Sequence, residues 1–478
     1  MANNYAKVAQ FKTVESFRAY LQDQGIAIGL ADLPPPEKSA MAQPLEYRGR
    51  MIGNRWAILP MEGWDCTADG APSEFTRRRW LNFAASGAKL IYGTEAAAVM
   101  HSGRSNPQQL LVAPHTAPAL TAICREMRQT HREKFGTDGD LRIGLQLTHS
   151  GRYSHPNQAA VLESVTAYSH PLLDVKFKNS AANVVSDKEV KNIIDHFIQA
   201  AVIAQKAGFD FVDIKHAHGY LAHEFLSAVD REGEYGGSFE NRTRFFREIA
   251  DGIRNAAPGL EISARLSIFD ILPFIKGENG VGQPMAWQGA YPYAFGGDGS
   301  GMNMDENLTE PVKFVEMMQQ YGVSMICATI GSPYYNVHMQ RPAYYPVADG
   351  YEMPEHPLYN VSRHIKAVHE LKKRCPGITI VGSGYTCLQE YLPHATEYAV
   401  AHGMTDFVGI GRMVLSYPEM PADLLAGKPL NKCKICRTFG DCTNAPRHGM
   451  ISGCYPLDHF YKQLPEALKL KEIKEKRK

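Results

Sequence analysis

The chain has 478 residues, 44% of them hydrophobic, and a formal net charge of +1. That length fits one large α/β domain with appendages, and that hydrophobic share argues against a disordered chain. So neutral a balance leaves no electrostatic footprint for nucleic acid, and no apolar run approaches the ~18 residues of a membrane span.

The opening "MANNYAKVAQFKTVESF" has neither an apolar h-region nor a small-residue cleavage site. A soluble, cytoplasmic chain is expected. Residues 1–45 read as an extension, in which "FKTVESFRAYLQDQ" predicts a short helix and "LADLPPPEKSA" a proline-rich linker. A second unit then runs over 46–428. Its apolar runs have strand character and each is followed by a helical stretch: "RWAILPME", "AKLIYGTE", "LRIGLQLTH", "FDFVDIKHA", "EISARLSIF", "VSMICATI", "ITIVGSG" and "DFVGIGR". Eight such alternations predict an α/β fold of the (β/α)8 TIM-barrel type. An open doubly wound sheet lacks support, because no G-x-G-x-x-G follows the first run. The clearest helix is "SDKEVKNIIDHFIQAAVIAQKAGF". Ser186 and Glu189 have capping-box spacing, Val190, Ile193, Ile194, Phe197 and Ala201 share a face, and Gly208 suits the C-terminal cap. Long aromatic insertions follow the fifth and sixth runs, at the catalytic face of a barrel, where they read as lids or as plain surface loops.

Chemistry gathers at the strand ends. In "FDFVDIK" side chains alternate, so Val212 and Ile214 face one way and Asp213 and Lys215 the other. With the apolar pair against the helices, Asp213 and Lys215 point inward. His218 and Tyr220 follow on the turn. The plain alternative is a structural Asp213–Lys215 ion pair beside incidental histidines. Gln146, His149 and Arg152 end the third run, and Arg265 lies in the fifth. The seventh and eighth end in "GSG" and "GIGR", a pair of glycine turns that suits a phosphate. Residues 429–478 form a last unit with a basic-ended tail, "KLKEIKEKRK". Four of the nine cysteines crowd there as C-x2-C-x5-C-x11-C: Cys433, Cys436, Cys442 and Cys454. Such spacings suit thiolate ligation of an iron–sulfur cluster or zinc.

"GLQLTHSGR", "HAHGYLAHEFLS", "REGEYGGSFENRTRF" and "DFVGIGR", in this order, resemble the old yellow enzyme family of flavin-dependent ene-reductases. The resemblance covers about residues 45 to 455 and is nearest the branch with 2,4-dienoyl-CoA reductase and trimethylamine dehydrogenase. It implies FMN across the barrel mouth, with Pro60, Met61, Ala96 and Gln146 along its ring and Arg265 at its N1–C2=O edge. Gly382, Ser383, Gly384, Gly411 and Arg412 would hold the phosphate. It also implies hydride transfer from flavin to an activated C=C bond. Lys215 and His218 would bind the substrate oxygen and Tyr220 would donate the proton. His338, three residues before Arg341, resembles a loop histidine that assists protonation. Lys215 departs from the imidazole usual in many relatives, and an ammonium holds an anion as a point charge. In this branch the four cysteines bind a [4Fe–4S] cluster, although the x5 gap here is longer. The implied electron donor is external, NAD(P)H or a redox protein. No nucleic-acid or membrane partner is expected, and a homo-oligomer is compatible with the sequence. Two alternatives stand beside C=C reduction: an FMN/iron–sulfur dehydrogenase acting on an amine, and a flavin electron-transfer subunit.

Overall fold

Eight apolar runs become eight parallel strands in the computed structural model, which describes residues 5–178, 184–302, 304–347 and 350–475. The first four residues of the opening and the last three of the basic tail lie outside the described residues. The strands are β1 (Trp56–Ile58), β2 (Leu90–Ile91, resumed at Ala96–Ala98), β3 (Arg142–Thr148), β4 (Phe211–His216), β5 (Glu261–Ser267), β6 (Met325–Thr329), β7 (Thr379–Gly382) and β8 (Phe407–Ile410). Each pairs with the next, and β8 returns to β1 through Val408 opposite Trp56. The ring is closed, as a TIM barrel requires.

The second run differs from expectation by breaking in the middle. At the break a Cβ on Gly93 would lie 2.6 Å from Pro60 Cγ, and the backbone leaves the β1 neighbour to resume on β3. The 187–207 helix forms as its pattern predicts. Ser186 and Glu189 close a reciprocal cap, and Gly208 ends the helix at φ +94°, a conformation glycine adopts at little cost.

Val212 and Ile214 join the apolar layer between sheet and helices, while Phe211 packs inside the barrel with Tyr92, Cys327 and Phe407. The alternation along β4 therefore points Asp213 and Lys215 inward, above that apolar plug. Register supplies their neighbours: Gln146 lies opposite Asp213, and Arg265 opposite Lys215.

The N-terminal extension packs on the barrel, with a helix over Val14–Asp23 and Phe17 stacked 4.5 Å from Tyr391. The insertion after β5 carries a hairpin, Phe274–Lys276 with Gly282–Pro284, and the one after β6 a short helix, Val337–Gln340. Among the described residues no helix is long and apolar enough to cross a membrane.

Candidate active site

A cavity of about 610 Å³ opens at the C-terminal ends of the strands, within the size range of ligand sites. Pro60, Met61, Ala96, Gln146, Lys215, His218, Tyr220, Arg265, Ser383, Gly384, Gly411 and Arg412 all line it. Two expected residues do not. Gly382 ends β7 below the rim, where its N–H donates to Thr405 Oγ1 at 3.0 Å. His338 is buried beside the cavity, with Nδ1 2.8 Å from the Tyr351 hydroxyl and its ring against Phe274. Burial lowers its pKa to about 3, so it stays neutral at ordinary pH. The short helix ends at Gln340, and the chain leaves helical geometry at Arg341 (φ −133°, ψ 61°). Gln340 takes the inward place instead, its Nε2 3.0 Å from His218 Nε2.

The turn after β4 is held in an unusual shape. His218 has φ +69°, its N–H donates to Ser267 Oγ, and its carbonyl accepts from Ser332 Oγ. Burial, reinforced by the Arg265 and Lys215 charges, holds its pKa well below the usual value. A neutral imidazole results. Tyr220 is buried, with its hydroxyl 3.0 Å from that of Tyr334. Desolvation first, then the Glu62 charge, pushes the phenol well above its ordinary pKa.

Lys215 Nζ lies 3.8 Å above the centre of the Tyr220 ring. Burial pulls this ammonium down to about 8, partly offset by Glu62. The expected ion-pair alternative with Asp213 is replaced. Among the described residues Lys215 has one carboxylate within 4.0 Å, Glu62, at 3.7 Å. Asp213 instead accepts from Gln146 Nε2 at 2.5 Å, and burial lifts its carboxyl to about 7.

Glu62 escaped the sequence reading, although it directly follows Pro60 and Met61. Its Oε2 accepts from Trp64 Nε1 at 2.8 Å and Ser105 Oγ at 3.1 Å, while Oε1 faces Tyr220 and Lys215. The carboxylate position at a strand end was the available signal. Its orientation was not legible, because it depends on Trp64 at φ +50°. Arg341 was also missed as a cavity residue. Burial lowers its guanidinium pKa, and it donates to Thr443 Oγ1 and toward Cys442 Sγ.

The opposite wall suits an anionic, hydrogen-bonding group. Arg265 has no carboxylate within 4.0 Å among the described residues, and its Nε and Arg412 Nη1 are buried without partners. Gly384 sits at φ +95°, and a Cβ there would fall 2.7 Å from His364 Cγ. Only glycine leaves this turn both unstrained and open. Two unpaired guanidinium donors beside bare glycine backbone fit the phosphate and polar ring edge of FMN.

Of the four clustered cysteines, Cys442 lines the cavity, Cys454 is buried and Cys433 is exposed. Burial, then the Cys436 and Cys442 charges, raises the Cys454 thiol. Among the described residues no three of these sulfurs come within 4.8 Å of one another.

Residues 41–290 match the family model "NADH:flavin oxidoreductase / NADH oxidase family". The chain is 31% identical to an NADPH dehydrogenase of Geobacillus sp. (strain WCH70) over 252 residues, which is 50% of this chain and 69% of that protein. Its fold resembles a 2-naphthoyl-CoA reductase in complex with 2-naphthoyl-CoA, with TM-score 0.65, 18% identity, and coverage of 90% of this chain and 58% of that one. It also resembles histamine dehydrogenase from Rhizobium sp. 4-9, with TM-score 0.64, 19% identity, and coverage of 90% and 53%. The chain spans little more than half the length of either solved chain.

Proposed function

This chain belongs to the NADH:flavin oxidoreductase / NADH oxidase family of flavin-dependent oxidoreductases, and on that premise we propose that it uses FMN to reduce an activated C=C bond of enone or enoate type. The observation carrying this reading is the set of Lys215, His218 and Tyr220 over one cavity whose far wall suits FMN. Arg265, Ser383, Gly384, Gly411 and Arg412 would hold the cofactor, and Pro60, Met61, Ala96 and Gln146 would border its ring. When bound, FMN supplies hydride chemistry at the barrel mouth.

The chain's own groups do the rest. Lys215 and His218 bind the substrate oxygen, where negative charge grows, and fixed donors in a dry site stabilise that charge strongly. Tyr220 holds the proton destined for the α-carbon. NAD(P)H or a redox protein is the electron source.

A second reading, oxidation of an amine, draws on Glu62 among aromatic walls, which suit an ammonium group. Lys215 and Arg265 beneath the same space oppose it. One anaerobic experiment separates the two. Protein whose released chromophore chromatographs as FMN is photoreduced and mixed with 2-cyclohexenone, and oxidised protein is mixed with a small amine. Reoxidation by the enone is expected. Bleaching by the amine alone, or release of FAD, overturns the proposal.

The four cysteines are assigned a [4Fe–4S] cluster, supported by their C-x2-C-x5-C-x11-C spacing. Cys436→Ser is expected to lose iron and the broad absorption near ~400 nm while the barrel retains FMN. Stoichiometric zinc without iron in anaerobically purified wild type would refute the assignment.

A further inference from the structure

We propose that Glu62 is a positioning residue of this site: it fixes the charge of Lys215 and the aim of the Tyr220 hydroxyl, and thereby determines how the site grips an anionic substrate group. The proposal rests on the reading of Lys215 and Tyr220 as the substrate-facing pair.

The geometry is divided between the two carboxylate oxygens. Oε2 is held by two neutral donors, Trp64 Nε1 at 2.8 Å and Ser105 Oγ at 3.1 Å. Oε1 is thereby presented to the Tyr220 hydroxyl at 3.5 Å and to Lys215 Nζ at 3.7 Å. Neither contact is tight, so a substrate oxygen can enter between them without breaking a short ion pair.

The loop that presents Glu62 is built to stay in place. Trp64 sits at φ +50°, costly for so bulky a residue, and that turn brings its indole N–H back to Glu62. Between them, the Gly63 N–H donates to the buried Glu95 carboxylate at 3.0 Å, and the Gly63 carbonyl accepts from Ser452 N at 2.6 Å. A Cβ at Gly63 would collide with the Arg79 guanidinium. Strain retained in a loop pinned from both sides points to a selected side-chain direction.

What Glu62 opposes is clear from the other groups facing Lys215. Arg265, on β5, is a like charge. Asp213, one pleat below on β4, spends one oxygen on Gln146. His218 and Tyr220, on the following turn, are held neutral. Burial alone favours the uncharged amine. Glu62 is the carboxylate that keeps an ammonium there, and its removal lets Lys215 lose its proton at lower pH.

The test is binding of benzoate to the FMN-loaded protein, followed by flavin absorbance from pH 5.5 to 9.5. It needs no turnover, so it is decided separately from the enone experiment. Wild-type affinity is expected to fall above about pH 8, where Lys215 discharges. In Glu62→Gln the fall should begin at least one pH unit lower, with affinity below it equal or tighter because a repelling carboxylate is gone. Glu62→Asp should lie between the two, and Lys215→Met should lose the pH dependence. Trp64→Phe, which frees Oε2 without removing the charge, should shift the fall in the same direction by less, and it serves where the Gln variant does not fold. An unchanged midpoint in the Gln and Phe variants overturns the proposal, as does a persistent fall in Lys215→Met or no benzoate binding to wild type.

Discussion

Tyr220→Phe is expected to leave reduction of the bound flavin nearly intact and to slow its reoxidation by an activated alkene by ~10²–10⁴-fold. The substitution removes one hydroxyl and keeps the ring, so the Lys215 ammonium retains its seat 3.8 Å above it. The phenol is a reluctant acid, because burial and Glu62 both disfavour the phenolate. Lys215 offsets this, since a cation against the ring favours the charge left when the proton departs. The acid therefore works as a pair, and its pH limb should follow Lys215 rather than an isolated tyrosine. Stopped-flow measurement of the two half-reactions separates the effects. An unchanged oxidative half-reaction removes Tyr220 from the role. Loss appearing only when Tyr334, 3.0 Å away, is also changed to Phe moves the role to that residue.

Much of this architecture was legible because it follows from periodicity. Alternation in "FVDIKH" was enough to turn Asp213 and Lys215 inward, and the capping pattern bounded the 187–207 helix. Partners across the barrel were not legible. The nearest carboxylate to Lys215 along the chain is Asp213, yet its ion pair is with Glu62, 153 positions earlier, since 215 − 62 = 153. That choice is made by a left-handed tryptophan and two hydrogen bonds, none of which has a periodic signature. The seat of His338 was hidden for a related reason. It lies on a helix of only four residues, Val337–Gln340, and is held beside the cavity by Tyr351 and Phe274, contacts with no signature in the spacing. The cysteine spacing pointed to a candidate metal-ligating segment, while only the fold placed Cys442 at the wall of the cavity.

Arg79→Met is expected to cost about 3–5 kcal/mol of stability at pH 8, the usual penalty for stripping the partner from buried charges. Among the described residues Arg79 is the one cation bonded to both Asp65 and Glu95, and all three side chains are almost wholly inaccessible to solvent. Two carboxylates share one guanidinium, so the group carries an excess negative charge. Burial, more than Arg79 can offset, holds Glu95 above the ordinary carboxylate range. A carboxyl raised in the folded state contributes stability that is present below its unfolded value and lost as pH rises through the folded one. Removing Arg79 raises the Glu95 carboxyl further and widens that window. The destabilisation should thus be smaller at pH 5, where the folded protein can keep Glu95 protonated, and full at pH 8. Urea midpoints at the two pH values test the sign directly. Equal losses at both would mean that Arg79 acts through packing alone. Neutralising the carboxylates in the triple variant Asp65→Asn, Glu95→Gln, Arg79→Met should recover most of the stability at pH 8. It should not restore the wild-type benzoate profile. Gly63 donates to Glu95 and rests against Arg79, so without this ionic brace the loop no longer fixes the direction of Glu62.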